Sequence, residues 1–140
     1  MEKLCPALSS LALILVASFT LSCGTSSSAP GTLQSITVSP ATASAPDPDG
    51  AVQFTATGHY NGAPYAVTPQ PATWGACYQN ASTTALTVSS AGLAQCQAQS
   101  GPPATYSVFA FDLTNCGAIN ACGGGCTVVG TAQLTCPTGP

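Results

Sequence analysis

The chain has 140 residues, 45% of them hydrophobic, with only one lysine or arginine, four acidic residues and one histidine. Glu2 and Lys3 fall in an apolar leader, so the rest of the chain holds three aspartates and no lysine or arginine. That part of the chain can therefore form no salt bridge that involves a lysine or an arginine. Without cations to neutralise phosphates, nucleic-acid binding and attraction to anionic headgroups are disfavoured, and we expect no nucleic-acid partner. The apolar content argues against disorder, and the length suits one domain.

The first 22 residues have the pattern of an export signal. Lys3 and the amino terminus supply a short positive start, Leu8 to Phe19 form an apolar segment, and small residues follow. The alternatives are secretion with cleavage nearby and an uncleaved membrane helix, although Leu4 to Leu21 is barely long enough to span. We expect a signal peptide at residues 1–22 and a small, polar, flexible tether at residues 23–32.

The leader ends in Thr20-Leu21-Ser22-Cys23-Gly24, which resembles the lipobox of bacterial lipoproteins. In that family the cysteine receives diacylglycerol and becomes the new amino terminus, so the resemblance implies lipid attachment at Cys23. Acyl chains bind a lipid bilayer with about 0.8 kcal/mol per buried CH₂. We therefore expect an exported protein anchored to the bacterial cell envelope. Gly24 is not the aspartate of an inner-membrane retention signal, which favours the outer membrane.

From Leu33 onward the patterns are those of β-strands. Val52, Phe54 and Ala56 alternate with polar residues, which is the period of a half-buried strand. Asn61-Gly62 has the composition of a hairpin turn, since both residues tolerate positive φ. The short strands and regular turns predict an all-β fold, a β-sandwich of about seven strands. The predicted strands are 35–39, 52–57, 65–68, 73–76, 86–88, 93–98, 106–111 and 128–135.

The predicted core is organised around residues 72–97. This segment contains the only tryptophan, Trp74, which we expect to be buried on its strand. Gly92 follows in the run Val88-Ser89-Ser90-Ala91-Gly92-Leu93-Ala94, where we expect it to force a short turn before the next strand.

Five segments, taken in order, resemble the group 2 bacterial immunoglobulin-like domains, in which a tryptophan strand is followed by a valine, serine, glycine, leucine turn. The resemblance implies an immunoglobulin-like sandwich at residues 33–137 with a non-catalytic role in display, adhesion or spacing. It brings no catalytic residues. It is interrupted after Phe111 by a glycine- and cysteine-rich insertion at residues 115–127. The five segments are Leu33 to Val38, Val52 to Gly58, Ala72 to Trp74, Val88 to Ala94 and Tyr106 to Ala110.

Six cysteines remain when Cys5 in the leader and Cys23 are set aside. An even number in an exported chain predicts three disulfides, and fifteen pairings are possible. We favour Cys77 with Cys96, because they bracket the loop after the tryptophan strand; the other four would staple the insertion to itself and to the last strand. The spacing lacks paired C-x2-C knuckles and any C-x-x-C redox pair, so we expect no metal and no cofactor. The six are Cys77, Cys96, Cys116, Cys122, Cys126 and Cys136.

Two groups of aromatic residues are candidate ligand contacts. Phe109 and Phe111 point away from the face of Val108 and Ala110, so either the insertion covers them or they form an exposed contact patch. Three tyrosines in or near loops can stack on sugars, which makes a carbohydrate-binding module on the cell surface the alternative function. Envelope proteins or polysaccharide are the candidate partners. The tyrosines are Tyr60, Tyr65 and Tyr78.

Catalytic groups are scarce. His59, the only histidine, falls in a predicted turn from Gly58 to Gly62, where we expect a solvated side chain rather than a catalytic base. Asp47 and Asp49 flank a proline and have the composition of a turn, with weak calcium binding as the alternative. We expect no enzyme activity.

Overall fold

The structure is a computed structural model that describes residues 31–98, 102–120 and 122–138. The predicted signal peptide, Cys23 and most of the predicted tether lie outside these ranges, so the leader and the lipid anchor stay predictions. The described residues include no helix that is long and apolar enough to cross a membrane.

The all-β prediction is confirmed, because the described residues form eleven strands and one short 3-10 helix. Tight turns and short loops connect most of the strands, as the frequent glycine, proline, serine and asparagine residues predict. The strands are β1 (Leu33–Ser39), β2 (Thr42–Ser44), β3 (Ala51–Gln53), β4 (Thr55–Tyr60), β5 (Ala66–Val67), β6 (Thr73–Tyr78), β7 (Ala81–Ser82), β8 (Leu86–Val88), β9 (Leu93–Cys96), β10 (Ala104–Phe111) and β11 (Val129–Cys136), and the 3-10 helix is Leu113–Asn115.

The strands belong to three sheets. The first has the order β1-β4-β5, the second β3-β9-β8, and the third β2-β11-β10-β6-β7. Only Phe54 separates β3 from β4, so these two strands form one run of chain that belongs to two sheets. The pairs are antiparallel except for β2 with β11, which is parallel.

One hydrophobic core receives side chains from all three sheets. The predicted alternation after residue 51 is present: Phe54 is fully buried and Ala56 nearly so, while the residues between them are partly exposed. On the third sheet Val108 lies opposite Ala132, and both side chains point to the core. Alternate burial on paired strands is the result of the two-residue side-chain period of a strand.

The hairpin predicted at Asn61-Gly62 is present, because β4 pairs with β5 across a five-residue connection. The turn does not use the positive φ that both residues tolerate, because neither Asn61 nor Gly62 has a positive φ. Within the described ranges, non-glycine residues with positive φ are Gln79 (49°) and Asn80 (65°), between β6 and β7. A two-residue hairpin loop of type I′ requires positive φ at both positions, whereas a five-residue loop does not. The Asn61 side chain instead accepts a hydrogen bond of 2.7 Å from the backbone N–H of Thr32.

Candidate functional site

All six expected cysteines form disulfides, but the favoured pairing of Cys77 with Cys96 is wrong. The disulfides are Cys77–Cys122, Cys96–Cys136 and Cys116–Cys126. The reason lies in the faces of the strands. Cys77 is opposite Ser107 on the sheet face that points away from the core, whereas Cys96 is fully buried inside the core. The two sulfurs therefore lie on opposite sides of a sheet.

The Cys96–Cys136 disulfide joins the second sheet to the third sheet through the core. Cys96 is the last residue of β9 and Cys136 is the last residue of β11, and neither side chain is exposed by more than 5%. Cys136 points to the same side as Ala132 and Leu134, as its spacing along the strand predicts.

The predicted insertion lies inside the connection between β10 and β11, residues 112–128, which we call the β10–β11 connection. Two disulfides hold it: Cys116–Cys126 closes the loop on itself, and Cys77–Cys122 fastens it to β6. Cys116 and Cys126 are also partners in an isolated antiparallel bridge. The two disulfides therefore fix the loop at Cys116, Cys122 and Cys126 and attach it to the third sheet at Cys77.

Two polar side chains complete the β10–β11 connection. Asp112 caps the 3-10 helix, because its Oδ1 accepts hydrogen bonds from the backbone N–H and the hydroxyl of Thr114 at 2.9 and 2.8 Å. Asn120 Oδ1 accepts hydrogen bonds from the backbone N–H groups of Cys122 and Gly124 at 2.9 and 2.8 Å. These contacts organise a loop that has few buried side chains.

Phe109 and Phe111 are covered as the first of the two alternatives predicts. Phe111 is only 5% exposed although it points away from the core, and Phe109 is partly buried. A Cβ atom built on Gly123 would lie 3.8 Å from the rings of both and 3.5 Å from Val129. The β10–β11 connection therefore folds back over the outer face of β10, and a contact role for the two phenylalanines stays a prediction.

The same connection carries two apolar side chains that remain exposed. Leu113 is 54% exposed and Ile119 is 46% exposed. Sequence analysis missed both as surface residues. The sequence does contain a signal for their exposure. Each is a large apolar residue in a polar, glycine-rich segment that lacks the alternation of a half-buried strand.

The three candidate tyrosines are in different environments. Tyr60 ends β4 partly buried, and its hydroxyl donates a hydrogen bond of 2.7 Å to Gln70 Oε1. Tyr65 is 69% exposed in the loop that follows β4. Tyr78 ends β6 in a different sheet and contacts Tyr106 with ring centroids 5.3 Å apart. They do not share one sheet, and a ligand-contact role for the three tyrosines stays a prediction.

The environment of Tyr106 affects its ionisation. Burial raises the pKa of the Tyr106 hydroxyl above its ordinary value, and the nearby Tyr78 raises it further. An ionised phenol at this position would lose solvent and face a second phenol.

Trp74 packs against the core as predicted, but its side chain is only partly buried. Its strand position is the expected one, opposite Ala110 on the core face, and it packs against the core. Gly92 does force the predicted turn, with φ of +81°. A Cβ atom at Gly92 would lie 2.5 Å from the carbonyl oxygen of Phe54 and 2.8 Å from Trp74 Cζ2. Glycine is therefore required both by the backbone and by the neighbouring indole.

A cavity of about 440 Å³ explains why the indole is partly exposed; we call it the Trp74 cavity. The chain from Phe54 to Ala56 changes neighbours here. Phe54 N–H donates to the Gly92 carbonyl (2.9 Å), and the Ala56 carbonyl accepts from the N–H of Gln70 (2.8 Å). A gap stays open between those two neighbours, and Trp74 lines it from the third sheet. The lining residues are Phe54, Thr55, Ala56, Pro69, Gln70, Pro71, Ala72, Trp74, Ser90 and Ala91.

His59 is in strand β4 and not in the predicted turn. It lies opposite Ser35 of β1, and its Nε2 is 3.0 Å from the hydroxyl of Thr37. Asp47 and Asp49 lie in the predicted turn, where the Asp47 carbonyl accepts a hydrogen bond of 2.8 Å from the N–H of Gly50. In the described residues no group of three or more histidine, cysteine, aspartate or glutamate side chains is placed to hold a metal ion.

No known protein family and no curated protein matches this sequence.

Proposed function

We propose that this chain is a bacterial lipoprotein whose immunoglobulin-like domain presents one rigid contact loop at the cell envelope, in a non-catalytic adhesion or display role. The observation that carries the proposal is the β10–β11 connection. Two of the three disulfides are spent on holding it, and it exposes Leu113 and Ile119.

The order of the strands supports an immunoglobulin-like sandwich. In that fold one sheet contains strands A, B, E and D, and the other contains C, F and G, with C′ added in variable-type domains. If β1 is A, the run β3 to β4 is B, β9 is E and β8 is D, the first two sheets together contain the order A-B-E-D, with β5 as an additional short strand beside β4. If β11 is G, β10 is F, β6 is C and β7 is C′, the third sheet has the order G-F-C-C′, with β2 as an additional edge strand beside G.

The disulfides and the composition support export. Disulfides persist in oxidising compartments outside the cytosol, and three of them in a domain of about 105 residues are typical of exported proteins. The lipobox-like run ending at Cys23 and the small polar residues after it would then provide a membrane anchor and a tether.

The position of the stapled loop favours adhesion or display over simple spacing. In variable immunoglobulin domains the loop between F and G is one of the recognition loops at the end of the sandwich. A loop that is ordered before binding loses less conformational entropy when a partner binds, which improves affinity. A spacer gains nothing from such a loop. Two observations agree with a non-catalytic role. His59 is hydrogen-bonded to Thr37. The cysteines in the disulfides are oxidised and so are not thiolates.

The anchor is tested by metabolic labelling. The full-length chain is expressed in a Gram-negative host grown with an alkyne analogue of palmitate, and the mature protein is examined by mass spectrometry. We expect label, an acylated amino-terminal cysteine and six oxidised cysteines, and we expect Cys23→Ser to lose the label. Label that persists in Cys23→Ser, or a mature form that begins elsewhere, rejects the lipid anchor.

The contact loop is tested by photo-crosslinking in intact cells. A benzoylphenylalanine replaces Ile119 in the loop, and, as a matched control, Leu93 on β9, which is 43% exposed. We expect a discrete cross-linked product from position 119 and none from position 93. Products of equal yield from both positions, or none from position 119, argue against a recognition role for the loop.

A further inference from the structure

We propose that the Trp74 cavity binds one sugar unit of a neutral polysaccharide. This site moves the carbohydrate-binding alternative away from the three tyrosines to a cavity that the sequence does not predict. It goes beyond the proposed adhesion role, and it depends neither on the lipid anchor nor on the β10–β11 connection. The volume of about 440 Å³ falls within the range of about 300–1,000 Å³ that is typical of small-molecule sites.

The charge of the lining sets the charge of the ligand. None of the residues that line the cavity is ionisable, and the chain offers only three aspartates and His59 beyond the leader. An anionic or cationic ligand that entered the cavity would lose water without gaining an opposite charge. The lining therefore selects for neutral ligands.

The polar groups of the lining distinguish a sugar from a hydrocarbon. Three of the lining residues carry a hydrogen-bonding group that makes no side-chain hydrogen bond within the described ranges: Thr55 and Ser90 have a hydroxyl, and Trp74 has the indole N–H. They are not sealed in the interior, since none of the described side-chain nitrogen or oxygen atoms is both buried and unpaired. A ligand that carries several hydroxyls can satisfy all three, whereas an apolar ligand would cover them and leave them unpaired.

Gln70 has a different part in the cavity. Its side chain is 7% exposed, and its Oε1 accepts the hydroxyl hydrogen of Tyr60. Its Nε2 donates to the carbonyl of Pro71 over 3.3 Å, a long and weak contact. The amide is therefore held in place by the protein and keeps hydrogen-bonding capacity at the wall of the cavity, since an amide nitrogen carries two hydrogens.

The apolar part of the lining suits the ring of a sugar. Trp74 contributes an aromatic surface, and Pro69, Pro71 and Ala72 form an apolar wall beside it. The carbon–hydrogen face of a pyranose is apolar and packs on an indole, while its hydroxyl groups point outward to polar partners. A proline-rich peptide would also pack on the indole, but it offers few hydrogen-bonding groups to Thr55 and Ser90, so the sugar is favoured.

The test uses the fluorescence of Trp74, which is the only tryptophan of the chain. The oxidised full-length protein is titrated with four neutral hexasaccharides, built from glucose, N-acetylglucosamine, mannose and galactose, and with an anionic oligogalacturonate. We expect at least one neutral hexasaccharide to change the emission saturably and the anionic one to leave it unchanged. Isothermal titration calorimetry gives the affinity independently of the fluorophore.

Variants that remove one hydroxyl locate the binding. Thr55→Val and Ser90→Ala should each weaken the affinity by about 3- to 10-fold, which is the value of one neutral hydrogen bond. Thr87→Val, at an exposed position of β8 outside the cavity, is the matched control and should bind like the unmodified chain. Thermal melts of each variant verify that the fold is retained.

Three outcomes overturn the proposal. The first is that none of the four neutral hexasaccharides binds. The second is that one binds with the same affinity to Thr55→Val, Ser90→Ala and Thr87→Val, which places the sugar elsewhere. The third is that a hexaproline peptide changes the Trp74 emission saturably while the sugars do not, which makes the cavity a peptide site.

Discussion

The region around Trp74 and the β10–β11 connection are stabilised in opposite ways. Around Trp74, paired strands bury apolar side chains in a shared core, and one glycine turn lies against the indole. In the β10–β11 connection the only buried residue of the described ones is Gly123, and the loop is held by two disulfides and by backbone hydrogen bonds. Apolar burial is distributed over many residues, whereas covalent stapling depends on few, so single changes should affect the two regions differently.

The largest effect is expected from removing the disulfide inside the core. Cys96→Ala with Cys136→Ala opens a loop with a sequence separation of 40, for which loop-closure entropy predicts a loss of about 4 kcal/mol in the free energy of unfolding. The two alanines also leave a cavity in the core, which adds to the loss. Urea melts of the oxidised protein measure it.

The matched control is Cys116→Ala with Cys126→Ala. This pair has a sequence separation of only 10, for which the same relation predicts about 3 kcal/mol, and its removal leaves no core cavity. If the loop pair costs as much as the core pair, the contrast between the two regions is wrong.

The second effect compares one glycine from each region. Gly92→Ala should lower the free energy of unfolding by about 2–3 kcal/mol, because the residue has φ of +81° and a Cβ atom would press on Phe54 and Trp74. Gly117→Ala in the β10–β11 connection should change it by less than about 0.5 kcal/mol, since its Cβ atom would meet only the Gly125 carbonyl oxygen at 3.7 Å. Thermal melts that rank these variants in the reverse order would contradict the close packing at Gly92.

The third effect is local to the β10–β11 connection. Asn120→Ala removes the acceptor for the N–H groups of Cys122 and Gly124, and should speed hydrogen exchange there by about 5-fold, which corresponds to about 1 kcal/mol. The exchange of Val108 in the core should not change. Asn115→Ala is the control, because its side chain makes only a 3.2 Å contact with Thr114. Faster exchange throughout the domain would mean that the loop supports the core.

The same contrast decides what the sequence could predict. The strands and the Gly92 turn follow from local patterns: alternation of apolar residues, and a glycine placed where side chains are excluded. The disulfide pairing does not, because it depends on which face of a strand Cys77 and Cys96 occupy and on the path of a loop without periodicity. Strand phase alone indicated correctly that Cys136 points to the core.

The partial exposure of Trp74 also lay beyond sequence reasoning. Its strand and its face follow from the alternation, but the cavity beside it exists because the chain around Phe54 changes from one neighbouring strand to another. Such a gap is set by contacts between segments that are distant in sequence. Gln70 was missed for the same reason, since its partners Tyr60 and Ala56 belong to an earlier strand.

The smallest effect is a loss of stability at alkaline pH. The pKa of Tyr106 in the folded protein is raised above its ordinary value of 10.0, first by burial and then by Tyr78. The folded state therefore holds this proton more tightly than the unfolded chain does. The contribution is complete below the unfolded pKa and is lost as the pH rises through the folded pKa.

Urea melts from about pH 8 to about pH 11 should show this loss in the unmodified chain and a smaller loss in Tyr106→Phe, which has no phenol to ionise. Tyr65→Phe is the matched control, because Tyr65 is 69% exposed and should behave like the unmodified chain. If both variants lose stability in parallel with the unmodified chain, the alkaline loss arises elsewhere. A loss that depends on Tyr106 alone would show that the alkaline sensitivity arises in the buried strands and not in the disulfide-stapled β10–β11 connection.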